Sequence, residues 1–70
     1  MVQINAPMVG KVLSVDVKPG DQVKKNDVVL TLEAMKMQIK VYAPADGKVV
    51  EVNANAGDVV NTDTVLVTLE

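Results

Sequence analysis

Glu33-Ala34-Met35-Lys36-Met37 stands at the seam between two copies of one sequence. Thirty-three residues precede Ala34 and thirty-three follow Met37, and the flanks match without a gap at an offset of 37. Ala6-Pro7-Met8-Val9-Gly10-Lys11-Val12 returns as Ala43-Pro44-Ala45-Asp46-Gly47-Lys48-Val49. Gly20-Asp21-Gln22-Val23 returns as Gly57-Asp58-Val59-Val60, and Val28-Val29-Leu30-Thr31-Leu32-Glu33 as Val65-Leu66-Val67-Thr68-Leu69-Glu70. Only the stretch from Ala34 to Met37 lacks a counterpart. Two like halves around one unduplicated segment predict a pseudo-two-fold scaffold with a single distinguished point, Lys36.

The apolar pattern outside the seam has period two. Leu13, Val15 and Val17 alternate with Ser14 and Asp16; Ile39 and Val41 alternate with Gln38 and Lys40; Val50 and Val52 flank Glu51. Such alternation marks half-buried strands. The more continuous run around Leu66 suits a strand buried on both faces. Turn residues interrupt the pattern at short intervals, at 7–10, 19–21, 25–27, 46–47, 56–58 and 61–63. Strands are expected at 2–5, 11–17, 22–23, 28–33, 37–42, 48–52, 59–60 and 65–70, four in each half. Short strands at even spacing predict an all-β sandwich or barrel. The segment 34–37 then becomes a tight hairpin linking the halves. Its residues are good helix formers, but a helix over 32–39 would be too short to stand without caps.

Composition sets the limits. Seventy residues make one small domain, 1–70, near the lower size for a self-sufficient core. With no Cys and no His, disulfides and the usual metal ligands are out of reach. Sixteen valines and a single aromatic, Tyr42, predict closely approaching sheets with small β-branched side chains between them. Net charge is −2 with no Arg, which argues against nucleic-acid binding. No apolar run reaches membrane-span length and the start lacks a signal-peptide pattern. A soluble, cytoplasmic protein without direct membrane insertion is expected, and the lack of Cys fits a reducing compartment. The chain starts almost directly in an apolar stretch, as a segment cut from a longer polypeptide would.

Lys36 is one of seven lysines, most of which serve as solvated charge. Its neighbours set it apart. Hairpin tips favour Gly, Asn, Asp or Ser, not two methionines. Exposed Met suits adaptable recognition surfaces, whereas a methionine folded back into the core would only fill a gap. A lysine in water is a cation at neutral pH and a poor nucleophile. Nothing in the chain is suited to activate it: Ser14 is the only serine, and no phosphate-binding loop is present. Lys36 is therefore read as a handle that another enzyme acylates, converting the cation to an amide at the base of a long arm. The chain itself is read as non-catalytic.

Ala34-Met35-Lys36-Met37, the Ala-Pro-x-x-Gly-Lys-Val repeats and the two Gly-Asp-x-Val turns resemble the biotinyl domain of biotin carboxyl carrier proteins, over the whole chain. The resemblance implies a flattened eight-stranded barrel-sandwich hybrid of two pseudo-symmetric four-stranded sheets. It implies biotin joined to Lys36 by a biotin protein ligase, with Ala34, Met35 and Met37 as the recognition residues around it. It implies a biotin carboxylase, using ATP and bicarbonate, that loads the ring. A carboxyltransferase or decarboxylase would then pass the carboxyl group to or from an acyl-CoA or keto acid. Some similar carriers have a protruding thumb in the first half. Here 6–33 is no longer than 43–70, so the chain resembles the thumbless carriers of transcarboxylase, of pyruvate and acyl-CoA carboxylases, and of sodium-pump decarboxylases.

Two alternatives differ at the seam. A lipoyl swinging-arm domain shares the fold, the repeat and the hairpin lysine, but that lysine is typically preceded by Asp and followed by Ala. An unmodified barrel-sandwich interaction module, as in membrane fusion proteins, lacks the Met-Lys-Met hairpin. Elsewhere, Gly10, Gly20, Gly47 and Gly57 are expected to be turn residues with special backbone angles. Asp21 and Asp58 are expected to tie their turns to the backbone. Glu33 is either a strand end, like Glu70, or a point of ligase recognition. Lys24-Lys25 reads as a solvated turn, and Asn26-Asp27 as a small polar surface.

Overall fold

The alternating segments form eight strands and no helix in the computed structural model, which describes residues 1–70. They are β1 (Val2–Asn5), β2 (Gly10–Val15), β3 (Gln22–Val23), β4 (Val28–Ala34), β5 (Met37–Tyr42), β6 (Gly47–Val52), β7 (Val59–Val60) and β8 (Val65–Leu69). Every expected strand is present, four with the expected ends and four with ends shifted by one or two residues. The strand expected at 11–17 starts at Gly10 and stops at Val15; that expected at 28–33 continues to Ala34. The strand expected at 48–52 begins at Gly47, and the last stops at Leu69.

All pairings are antiparallel, in two four-stranded sheets ordered β1-β8-β6-β3 and β5-β4-β2-β7. Adding 37 to residue numbers of the first half turns β1, β2, β3 and β4 into β5, β6, β7 and β8, and so exchanges one sheet order for the other. The repeat is thus a pseudo-two-fold in space. Its turns repeat too. Lys18 N donates to Asp21 Oδ2 at 3.0 Å, and Asn55 N to Asp58 Oδ2 at 2.9 Å, as expected for these aspartates. Gly20 N donates to Val49 O at 2.8 Å, and Gly57 N to Val12 O at 2.7 Å, so each half's turn clasps a strand of the other. Gly20 and Gly57 both have φ of +97°, a conformation that only glycine adopts freely.

Fifteen buried apolar residues form one core, and no polar side chain is buried. Leu30, Leu32, Leu66 and Leu69 are fully enclosed, each contributing about 1.5–3 kcal/mol from leaving water. The face of β2 departs from simple alternation. Its register against β4 steps from Val12↔Leu32 to Ser14↔Thr31, so Leu13 is the extra residue of a β-bulge. The bulge buries Val12, where alternation had chosen Leu13, Val15 and Val17; those three are half-buried. β6 repeats the device at Val50.

Two shallow grooves mark where the sheets part, and both sit on the pseudo-axis. One is lined by the equivalent pairs Ile4 and Val41, Asn5 and Tyr42, Pro7 and Pro44. The other brings Val15 together with Val52 and Lys18 with Asn55. Their symmetry makes them seams of the sandwich, common to both halves. The distinguished point lies elsewhere.

Candidate attachment site

β4 and β5 pair from Val28↔Tyr42 to Ala34↔Met37, which leaves Met35 and Lys36 as a two-residue turn. Their φ values are +51° and +64°. Positive φ at both central positions marks the type I′ hairpin turn, whose backbone twist matches that of the strands it joins. Asn-Gly is the usual occupant because L-residues with a Cβ resist this region by roughly 1–2 kcal/mol each. Met and Lys are poor residues for the geometry, and the long β4–β5 ladder holds them in it. Backbone strain held by two residues ill suited to it is a pointer to function rather than to stability.

The turn delivers its side chains to solvent. Met35 is 92% exposed and Met37 66%, so neither methionine fills the core. Lys36 is exposed as well. The side-chain hydrogen bonds of the fold lie elsewhere, at the turns around Asp21, Asp27, Asp46, Asp58 and Asn61 and between Asn5 and Thr62. Ala34 is buried, at the base of the hairpin. β2 begins beside it, and a Cβ on Gly10 would lie 3.5 Å from the Ala34 Cβ and 2.9 Å from the Glu33 carbonyl oxygen. Gly10 therefore serves close approach, not a special backbone angle. Gly47 does the same at 3.0 Å from the Glu70 carbonyl oxygen, which corrects the expectation for these two glycines.

Glu33 lies between Lys11 on β2 and Gln38 on β5. Glu70 pairs its backbone with that of Lys48, the equivalent of Lys11, with bonds of 2.8 and 3.3 Å. The glutamate thus has a strand-end place in both halves. Asn26 and Asp27 shape their own turn: Asn26 has φ of +77°, and Asp27 Oδ2 accepts from Lys24 N at 2.9 Å. Lys24 and Lys25 are exposed, as expected. No group of three or more Asp and Glu side chains is arranged to hold a metal, and no helix is long and apolar enough to cross a membrane.

Sequence reading missed Met8, Val9 and Val59, which are 40%, 64% and 76% exposed near the hairpin base. The available signal was the repeat itself. Their equivalents, Ala45, Asp46 and Gln22, are small or polar.

The chain belongs to the biotin- and lipoyl-attachment family described as "Biotin-requiring enzyme", whose pattern matches residues 2–69. Within that family its relatives support the role of a biotin carrier domain. It is 62% identical over 40 residues to the gamma subunit of glutaconyl-CoA decarboxylase from Acidaminococcus fermentans. That match takes in 57% of the chain and 28% of the relative, so the chain spans under a third of it. Among solved structures, a single-chain, multi-domain long-chain acyl-CoA carboxylase superposes with a TM-score of 0.88 and 32% identity. That superposition covers 94% of this chain and 7% of the carboxylase. The lipoyl domain of the 2-oxoglutarate dehydrogenase complex from Azotobacter vinelandii superposes with a TM-score of 0.82, also at 32% identity, over 100% of this chain and 96% of that one. The two-sheet fold is therefore common to both kinds of carrier.

Proposed function

We propose that residues 1–70 act as a single biotinyl domain that carries a carboxyl group on biotin attached to Lys36, with Ala34, Met35 and Met37 forming the recognition surround. The observation that carries this reading is the exposed Met35-Lys36 turn, the one turn without an equivalent in the other half. Acylation forms a bond between Lys36 Nζ and the carboxyl carbon of an activated biotin ester or anhydride. The activating group leaves with its bonding electrons and the amine loses a proton to solvent. Biotin protein ligase is the enzyme class for that step. The tip fits the product: an exposed amine on a rigid ladder becomes a neutral amide that needs no buried counter-charge.

Bound biotin would supply the atom that takes and gives up the carboxyl group. The chain's own residues present the arm and keep it clear of the fold. A tethered carrier meets each partner at an effective concentration of the order of millimolar, set by its linkage. The partners are a biotin carboxylase and a carboxyltransferase or decarboxylase. An acyl-CoA substrate is supported by the decarboxylase gamma subunit to which the chain is similar. A loading step that draws on ATP and bicarbonate is compatible with work in the cytoplasm.

Co-expression with a biotin protein ligase, followed by intact-mass measurement, tests the reading. One biotinyl amide on the wild type and none on Lys36→Arg is the expected result. A lipoyl adduct without biotin, or biotin on Lys36→Arg, would overturn it.

A further inference from the structure

The duplicated fold contains its own control surface. Any exposed position near the hairpin has an equivalent, 37 residues away, at an end of the molecule that carries no such tip. Differences between equivalent exposed residues therefore report what the tip demands beyond the fold. The charges beside the base of the tip are the same in both halves: Lys11 matches Lys48 and Glu33 matches Glu70. Buried residues hardly differ: Val60 matches Val23, each 5% exposed. At three exposed positions the tip end carries the larger apolar side chain. Met8 stands where the other half has Ala45, Val9 where it has Asp46, and Val59 where it has Gln22. Asp46 earns its place at the far end by accepting the Lys25 N–H at 2.7 Å, a bond that Val9 cannot make.

The register places these residues beside the tip. Val59 is opposite Lys11 on β2, and Lys11 is opposite Glu33 on β4. Gly10 lies against Ala34, and β2 runs antiparallel to β4, so the preceding Met8 and Val9 run alongside the turn that follows Ala34. With Met35 and Met37, five of the eight large exposed apolar side chains gather at one end of the molecule. Exposed apolar groups at this density mark a contact surface.

We infer that Met8, Val9 and Val59 form the docking surface for the enzyme that acylates Lys36, an inference that rests on the proposed function. Reach selects that partner. Lys36 Nζ extends from the hairpin only by the length of its own side chain, so the acylating enzyme must cover the tip and the ground beside it. Later partners meet the end of a lengthened arm, which constrains the ground beside the tip less.

The test is the initial rate of biotinylation against concentration of the unmodified domain, with a biotin protein ligase. The variants are Met8→Ala, Val9→Asp and Val59→Gln, singly and together. Each installs the residue that the other half already accommodates. Gln22→Val and Ala45→Met at the far end are the controls. The combined variant should raise KM by about tenfold with kcat little changed, as for loss of a few apolar anchors, and the controls should match wild type. Unchanged KM in the combined variant, or a fall confined to kcat, would overturn the inference. So would a carrier that labels normally but fails in carboxyl transfer, which assigns the surface to a later partner. A concentration-dependent dimer lost in Val59→Gln without effect on labelling would assign it to a second copy. Methyl NMR of the wild type with added ligase gives a readout independent of variant folding. Perturbation of Met8, Val9 and Val59 methyls is expected, and perturbation confined to Met35 and Met37 would refute the assignment. Wild type that takes no biotin would sink the proposed function as well; labelled wild type with indifferent variants would sink this inference alone.

Discussion

Gly10 and Glu33 meet with no room for a side chain between them. A Cβ on Gly10 would lie 2.9 Å from the Glu33 carbonyl oxygen, inside the closest approach real Cβ atoms make. Glu33 is three residues from Lys36, so the packing of β2 sets the base of the tip. Gly10→Ala should cost about 1–3 kcal/mol in urea unfolding, as for a methyl forced into packed space. Gly47→Ala should cost a similar amount, since its Cβ would lie 3.0 Å from the Glu70 carbonyl oxygen. Biotinylation should slow in Gly10→Ala and not in Gly47→Ala, because only the first disturbs the hairpin.

The turn itself should be improvable at the expense of its use. Replacing Met35 by Asn and Lys36 by Gly supplies the residues that favour positive φ at both positions. The double variant should be more stable than wild type by about 1–2 kcal/mol, less than the roughly 2–4 kcal/mol that two ill-suited L-residues would hold there, because Asn keeps its Cβ. It should accept no biotin. A decrease in stability, read from thermal or urea melts, would mean that the methionine contributes packing its exposure does not reveal.

Methionine at 35 and 37 is predicted to act through recognition alone. Met35→Leu and Met37→Leu should each change stability by less than about 0.5 kcal/mol, as exposed substitutions generally do. Each should alter the rate of ligase labelling or of later carboxyl transfer. Unfolding of either variant would restore the core-filling reading.

Symmetry makes a quantitative demand on the turns. Asp21→Ala removes the acceptor for Lys18 N, and Asp58→Ala the acceptor for Asn55 N. Each loss should cost about 0.5–1.5 kcal/mol, and the two costs should agree within about that spread. A large effect at one site only would show that the halves share a backbone without sharing its energetics.

The scaffold was readable because its signals were repeated. Eight alternating segments, punctuated twice by Gly-Asp turns, located every strand and the hairpin. The boundaries slipped where the apolar alternation outruns the strand: Val17 continues the apolar pattern of β2 but lies beyond its last residue, Val15. The bulge at Leu13 escaped notice because alternation carries no mark of an inserted residue. Lys36 was readable as the unduplicated point. The strain at Met35 and Lys36 was not, since neither residue type advertises positive φ. Gly10 was assigned a backbone role that glycine often has, when the decisive fact was a carbonyl from a distant strand. Met8, Val9 and Val59 read as ordinary apolar residues until their exposure and their partners in the other half could be compared.

The pairing Val2↔Leu69 reproduces Leu32↔Ile39 from the other half, so Glu70 and Met1 are poised as Glu33 and Gln38 are. A four-residue link of Ala, Met, Lys and Met between Glu70 and Met1 would close the chain into a circle and complete the symmetry. Such a ring should fold as the linear chain does and carry two lysine tips, one from each sheet. A single-armed carrier would become a bivalent one, with the geometry for the second arm already built into its hydrogen-bond register.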